Sequence, residues 1–393
     1  MIKKLLEVTV TALVLASAAN AQEKIKIGLL NIDSGPFTVL APFVQDGAVF
    51  AIETLNAQGG ALGRKYELVT QTHVGTPAAA IAAANRLVEQ QGVTFFAGLS
   101  SSGTSLGLAP KLAGMNALFL DTTGAADDLT GKNCQSNYFR IGVNDSFYIN
   151  GFRTLIKQSG IKSWDLIMGD YALGHDYAKR FTALVQESGG TVQKTLFPSM
   201  TAPDVGSFIS QLLVKPAEGL MVVYPGSGGI TLAKQQQPFG LFSKYKSVLS
   251  VYSTNDTIIS AQGDTTAGMM SAQSYYWAMP GERNAAFVKA FEVRFKRKPT
   301  YLDADAYMSF EVLHAAILKA KSTDLAPVRT ALAGLKTASI VGDVEMRTAD
   351  HQLLRPLVVV QAVKAGEGKG DFILKSVEPV SKIAPEASLE CKL

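Results

Sequence analysis

Histidine and cysteine are scarce in this chain of 393 residues, four of the first and two of the second. His73, His175, His314 and His351 are scattered, without the short paired spacing that zinc ligation needs, so no metal centre is expected. Charged residues make up only 18% of the chain, and the formal net charge of +4 is too small a bias to argue for nucleic acid. No low-complexity linker divides the chain, and no apolar run beyond residue 21 reaches the roughly 18 residues that span a bilayer. Catalytic motifs are missing as well. Gly98-Leu-Ser-Ser-Ser102 puts serine where a nucleophile elbow requires its second glycine. Pro225-Gly-Ser-Gly-Gly-Ile-Thr231 opens like a dinucleotide loop but carries Thr231 at the last glycine position, and residues 60–64 lack the Gly-Lys-Ser/Thr of a phosphate loop. His175-Asp176 and Asp127-Asp128 read as charges at helix starts. Neither an enzyme nor a bound cofactor is expected.

Residues 1–21 have the build of a secretory signal: Lys3 and Lys4, an apolar centre over residues 8–18, and Ala19-Asn20-Ala21 as a small-x-small cleavage site. The remainder is expected to be soluble in a periplasm or an equivalent space. In an oxidising compartment Cys134 and Cys391 read as one disulfide rather than as metal ligands. With 47% hydrophobic residues the chain can pack well, and its length allows two domains.

The order of elements argues for parallel sheets. Residues 24–30 read as a strand, followed by Asn31-Ile-Asp-Ser-Gly-Pro36 and a helix with Val44, Ala48, Ile52 and Leu55 on one face, closed by Gly59-Gly60. Residues 66–72 form the next strand; Thr76-Pro77 caps a helix whose buried stripe is Ile81, Ala84 and Val88. The same alternation recurs with strands at 164–168, 191–196, 220–224 and 248–252, and loops at 169–174 and 225–229. An apolar strand over 269–279, a helix carrying Phe287, Phe291 and Phe295, a helix over 303–319, and a hairpin of 356–363 with 372–377 complete the reading.

One stretch organises the rest. Residues 93–97 and 117–120 look like strands buried on both faces, and each ends in a loop of hydroxyls and glycines, residues 98–104 and 121–126. Loops at the carboxyl ends of parallel strands, followed by helix N-termini, are expected to present free backbone N–H groups to a small anion such as a carboxylate.

Six short strings stand in order along nearly the whole chain after residue 21: Ser34-Gly-Pro36, Asn56-Ala-Gln-Gly-Gly60, Gly131-Lys-Asn-Cys134, Phe139-Arg140, Asp170-Tyr-Ala-Leu-Gly174 and Ala349-Asp-His-Gln352. In their order and spacing the chain resembles the periplasmic solute-binding proteins of ABC importers, in particular the leucine/isoleucine/valine-binding family. The resemblance implies an α/β protein of two Rossmann-like lobes with parallel sheets joined by three crossovers, closing on a ligand held in the cleft between them. It places residues 22–143 and 275–347 in an N-terminal lobe and 144–274 and 348–393 in a C-terminal lobe. It also implies a disulfide from the Cys134 motif to a cysteine near the C-terminus.

Carried over by position, the family's carboxylate-binding serine falls on Ser102, flanked by Ser101 and Thr104, and its second loop on Thr122, Thr123 and Gly124. Phe37 is expected to wall the pocket, with Tyr171, Ser227 and Tyr252 from the second lobe and Tyr148 near the hinge. Tyr276 and Trp277 are further aromatic candidates. Amino-acid binders of the family pair the ligand's ammonium with an acid after the strand at 248–252; ungapped counting puts Val251 there, and only a gap would bring in Asp256. A desolvated ammonium without a partner costs several kcal/mol, so a ring-bearing or aliphatic acid lacking an amino group is the expected ligand, ahead of an apolar amino acid. The expected partners are a small carboxylate, a cognate permease and its ATPase, with the protein itself a monomer. The alternatives are a periplasmic serine hydrolase or amidase using a serine of residues 100–102, and a ligand-sensing module of a receptor.

Overall fold

The computed structural model describes residues 23–98 and 101–393; residues 1–21, expected to be a signal segment, and Ser100 lie outside them. In chain order the first elements are β1 (Ile25–Ile32), α1 (Ala41–Ala57), β2 (Tyr66–His73), α2 (Pro77–Asn85), β3 (Phe95–Gly98), α3 (Ser102–Leu108), β4 (Leu118–Asp121) and β5 (Tyr138–Arg140). Their strands pair in the order β2-β1-β3-β4-β5, all parallel. The local signals behave as read: the Thr76 side chain accepts from the Ala79 N–H, and Pro77 opens α2.

A second run follows: α4 (Asp145–Ser159), β6 (Ser163–Met168), α5 (Ala172–Glu187), β7 (Thr191–Leu196), α6 (Gly206–Leu213), β8 (Gly219–Val223), α7 (Ser227–Gln236), β9 (Ser247–Val251), α8 (Ile259–Gln262) and β10 (Met270–Gln273). Then come α9 (Glu282–Phe295), α10 (Tyr301–Ala320), α11 (Leu325–Leu332), β11 (Lys336–Ser339), β12 (Gly342–Met346), β13 (Leu353–Leu354), β14 (Leu357–Lys364) and β15 (Gly370–Glu378). The second sheet has the order β15-β14-β10-β9-β8-β6-β7, with β14 and β15 antiparallel at one side. Strands β11 to β13 make a small antiparallel sheet.

Helix α10 packs on α1 of the first lobe. Gly47 sets how closely they approach, since a Cβ there would lie 2.2 Å from the Asp303 carbonyl oxygen. Phe50, Phe287, Phe291, Phe295 and Tyr307 cluster beside this contact, with Phe50 and Phe291 edge-on at 5.3 Å. The segment Thr38–Ala57 is apolar and long enough to cross a membrane by composition, yet half of it is buried in this packing, which accounts for its apolarity.

The chain passes between the sheets three times, through residues 141–144, 274–281 and 355–356. Two expectations change here. The strand expected over 269–279 ends at Gln273, because the apolar residues after it are the buried second crossing. The third crossing, expected at 347/348, falls at Arg355 because Gln352 still bridges Arg140 at the edge of the first sheet. Cys134 and Cys391 form the disulfide, tying the C-terminal tail back to the first lobe.

His351 stacks on Phe139 at 3.9 Å, and its Nδ1 lies 3.2 Å from the Tyr138 carbonyl oxygen. Burial holds the ring's pKa down to about 4. Between about pH 6.5 and 4 the unfolded chain therefore binds a proton that the folded chain does not, and stability falls with pH through that window, by up to about 3 kcal/mol. Urea unfolding at pH 7.5 and 4.5 should show this loss, and His351→Gln should flatten the pH slope even though it forfeits the stacking. An unchanged slope in the variant would assign the acid sensitivity to other groups.

Candidate ligand-binding site

A cavity lies between the lobes, with about 520 Å³ of empty space that is continuous with solvent. Phe37 and Leu40 enter it from the β1–α1 loop, Ser101 and Ser102 from the start of α3, Thr122 and Thr123 from the loop after β4, and Gly142 and Val143 from the first crossing. Tyr148 comes from α4, Tyr171 and Leu173 from the loop after β6 and the start of α5, Pro225 from the loop after β8, and Tyr252 directly follows β9. Tyr301 and Asp305 come from the first turns of α10. Most of these positions follow the carboxyl ends of parallel strands, where open α/β sheets place their ligands.

The lobes meet at the rim of the cavity. The Ser227 N–H donates to the Pro36 carbonyl at 3.2 Å, and Gly226, at φ +63°, is needed there because a Cβ would sit 2.3 Å from the same oxygen. Phe37 and Tyr171 face each other across the gap with ring centroids 6.1 Å apart. Arg180 on α5 reaches Asp127 of the first lobe at 3.0 Å while also holding Asp176.

Bond by bond, the hydroxyl loops differ from expectation. Ser101 accepts the Thr104 N–H and pairs with the Thr104 hydroxyl, which in turn donates to the Gly75 carbonyl. The Thr122 hydroxyl donates to the Gly98 carbonyl. In the loop after β4 the N–H groups expected to be free are bound internally: those of Thr123 and Gly124 by Asp121, and those of Ala125 and Ala126 by the Ser102 Oγ at 3.2 and 3.1 Å. Ser102 stands apart. With both lone pairs filled by N–H donors, its oxygen can act only through its own O–H, polarised outward as a donor. Such a group suits a carboxylate oxygen.

The rest of the wall is aromatic and neutral. Tyr148 and Tyr252 meet edge-on at 5.0 Å, and burial raises the phenols of Tyr148, Tyr171, Tyr252 and Tyr301 so that they remain protonated. Tyr252 sits at φ +61°, an uncommon conformation for a bulky residue, which turns the chain sharply after β9 and sends its ring to the cavity. Among the described residues, the one carboxylate on the wall is Asp305. Burial raises its carboxyl, while Arg355 and Ser274 oppose that by bonding its charged form.

Several expectations are corrected here. Gly124 lies behind the wall, bonded to Asp121, and Ser227 contacts the opposite lobe rather than the cavity. The loop expected over 225–229 is short because Ser227 already begins α7. Tyr276 donates to the Phe372 carbonyl and Trp277 packs under Lys298, so neither faces the ligand space. Asp256 bonds the Tyr301 N–H at the start of α10 and does not line the cavity. Leu40, Gly142, Val143, Leu173, Pro225, Tyr301 and Asp305 were not anticipated. A signal for Tyr301 existed: Thr300 and Asp303 make a capping box that starts α10 two residues before the helix was expected.

A family model described as periplasmic binding protein matches residues 24–367. The chain belongs to this family. This binding protein is 24% identical over 387 residues to a Leu/Ile/Val-binding protein homolog 4 of Brucella abortus, covering 93% of this chain and 90% of the relative. Its fold matches a solute-binding protein of an ABC transporter from Rhodopseudomonas palustris, solved with 3,4-dihydroxybenzoic acid, at a TM-score of 0.83, 19% identity, and 92% and 99% coverage of the two chains. It matches a leucine-, isoleucine-, valine-, threonine- and alanine-binding protein from Brucella ovis, in a closed conformation, at 0.82 and 19%, with 94% and 99% covered. The binding protein thus has the two-lobed α/β fold of type I members of the family.

Proposed function

We propose that this protein is the extracytoplasmic solute receptor of an ABC importer, that it captures a small organic acid without an amino group in the interlobe cavity, and that it hands this acid to a membrane permease. The Ser102 hydroxyl carries the reading, because its only remaining capacity is to donate, and it lines an aromatic cavity. A carboxylate on Ser102 with a ring or aliphatic body against Phe37, Tyr171, Tyr252 and Tyr301 uses both features. Similar folds solved with benzoate and with 4-hydroxybenzoate support that ligand class. The hydrolase alternative gains nothing from Ser102, whose lone pairs are engaged and not available for attack.

Calorimetric titration with benzoate-like acids, 2-oxo acids and leucine tests the reading. The amino-free acids should bind in the cavity, and at a hundredfold excess over Kd the best of them should stabilise the protein by about 2.7 kcal/mol in thermal unfolding. Binding of leucine with no response to any amino-free acid would overturn the choice of ligand class.

A further inference from the structure

We propose that the Asp305–Arg355 pair sets the specificity of the cavity: it turns away ligands carrying an ammonium group remote from their carboxylate and receives a ligand hydroxyl on the Asp305 carboxylate. The inference rests on the carboxylate reading above and adds the chemistry of the ligand's other end. Asp305 is 2% exposed, and its side chain lines the cavity beside Tyr148 and Tyr301. One of its oxygens accepts from Arg355 Nη1, the other from the Ser274 hydroxyl at 2.7 Å. Arg355 is completely buried, its Nη2 donating to the Ser274 carbonyl at 2.8 Å, and among the described residues its Nε has no partner.

A carboxylate has about four lone-pair sites, so two bonds from the protein leave Asp305 with acceptor capacity. Its charge, however, is already neutralised. An ammonium drawn to Asp305 would meet a net-neutral pair and the repulsion of a desolvated guanidinium close behind it, so the attraction a lone buried acid would exert is lost. A hydroxyl suffers no such repulsion and gains a charge-assisted bond. The plainer account is that the pair only knits the hinge, since Ser274 and Arg355 lie in the second and third crossings. That account predicts no effect on ligand choice, and the two are separable by selectivity.

The test is calorimetry on the full chain freed of its signal segment, with benzoate, 3- and 4-hydroxybenzoate, 4-methylbenzoate and 4-aminomethylbenzoate as probes. In the wild type one hydroxybenzoate should bind about tenfold or more tighter than benzoate, the worth of a hydrogen bond to a charged group. 4-Aminomethylbenzoate should bind about a hundredfold or more weaker than 4-methylbenzoate, as expected for an uncompensated charge. In Asp305→Leu/Arg355→Met the hydroxybenzoate-to-benzoate ratio should fall to near one, and in Arg355→Met the affinity of 4-aminomethylbenzoate relative to 4-methylbenzoate should rise, because Asp305 is then left to attract the ammonium. Should the variants not fold, the wild type still decides, through its affinity ratios and a red shift of the bound hydroxybenzoate absorption where the phenol bonds a carboxylate. Benzoate binding with no hydroxyl advantage overturns the inference and leaves the carboxylate reading standing, as do 4-aminomethylbenzoate binding equal to that of 4-methylbenzoate and a ratio retained in the double variant. No response to any acid overturns both.

Discussion

Replacing both cysteines with serine is expected to lower the free energy of unfolding by about 4 to 5 kcal/mol, a large part of the stability of an ordinary domain. Cys134 and Cys391 are 257 residues apart in sequence, so the bridge closes most of the chain into one loop and restricts the unfolded ensemble. The loop takes in every strand from β5 onward, so the second lobe lies inside it while β1 to β4 of the first lobe stay outside. Urea unfolding of the oxidised protein and of the Cys134→Ser/Cys391→Ser variant measures the effect directly. A difference below about 1 kcal/mol would show that the bridge anchors only the terminal tail.

Arg140→Met is expected to cost about 3 to 5 kcal/mol, because it strips several buried acceptors of a charged donor at once. The guanidinium is fully buried, and it bonds Gln352 at 2.6 Å, the Ala126 carbonyl at 2.7 Å, the Gly124 carbonyl at 3.3 Å and the Thr130 hydroxyl. Those carbonyls belong to the loop whose N–H groups orient Ser102, so ligand affinity should fall along with stability. Arg153→Met serves as a control, since Arg153 pairs with Glu187 on the surface and should cost less than about 1 kcal/mol. Equal effects of the two substitutions would refute the anchoring role of Arg140.

Much of the site could be read from residues that directly follow a strand. Phe37, Ser101, Ser102, Thr122, Thr123, Tyr171 and Tyr252 all reach the cavity from such loops. The carboxyl end of a strand is a local feature, visible in where an apolar run stops and turn residues begin, and parallel pairing then brings those ends to one edge. Ser227 and Gly124 also follow strands and yet miss the cavity, because side-chain direction within a loop depends on its packing partners.

The amino-acid sequence by itself determined the alternation of strands and helices, the two-lobed parallel plan and the pairing of the two cysteines, since periodicity, caps and composition act over a few residues. Tertiary structure alone decided which hydroxyls remain able to donate. Ser101 and Thr122 are chemically like Ser102, but the proton of Ser101 is taken by the Thr104 hydroxyl of its own helix start and that of Thr122 by the Gly98 carbonyl of a neighbouring strand, and only coordinates show such partners. Tertiary structure likewise brought Asp305, from a helix that packs on α1, to the same cavity as the loops after β4 and β9, and neutralised it with Arg355 from the third crossing. The apolar residues 274–281 mark the same limit, because burial makes a crossing look like a strand until the hydrogen-bonded partner is known.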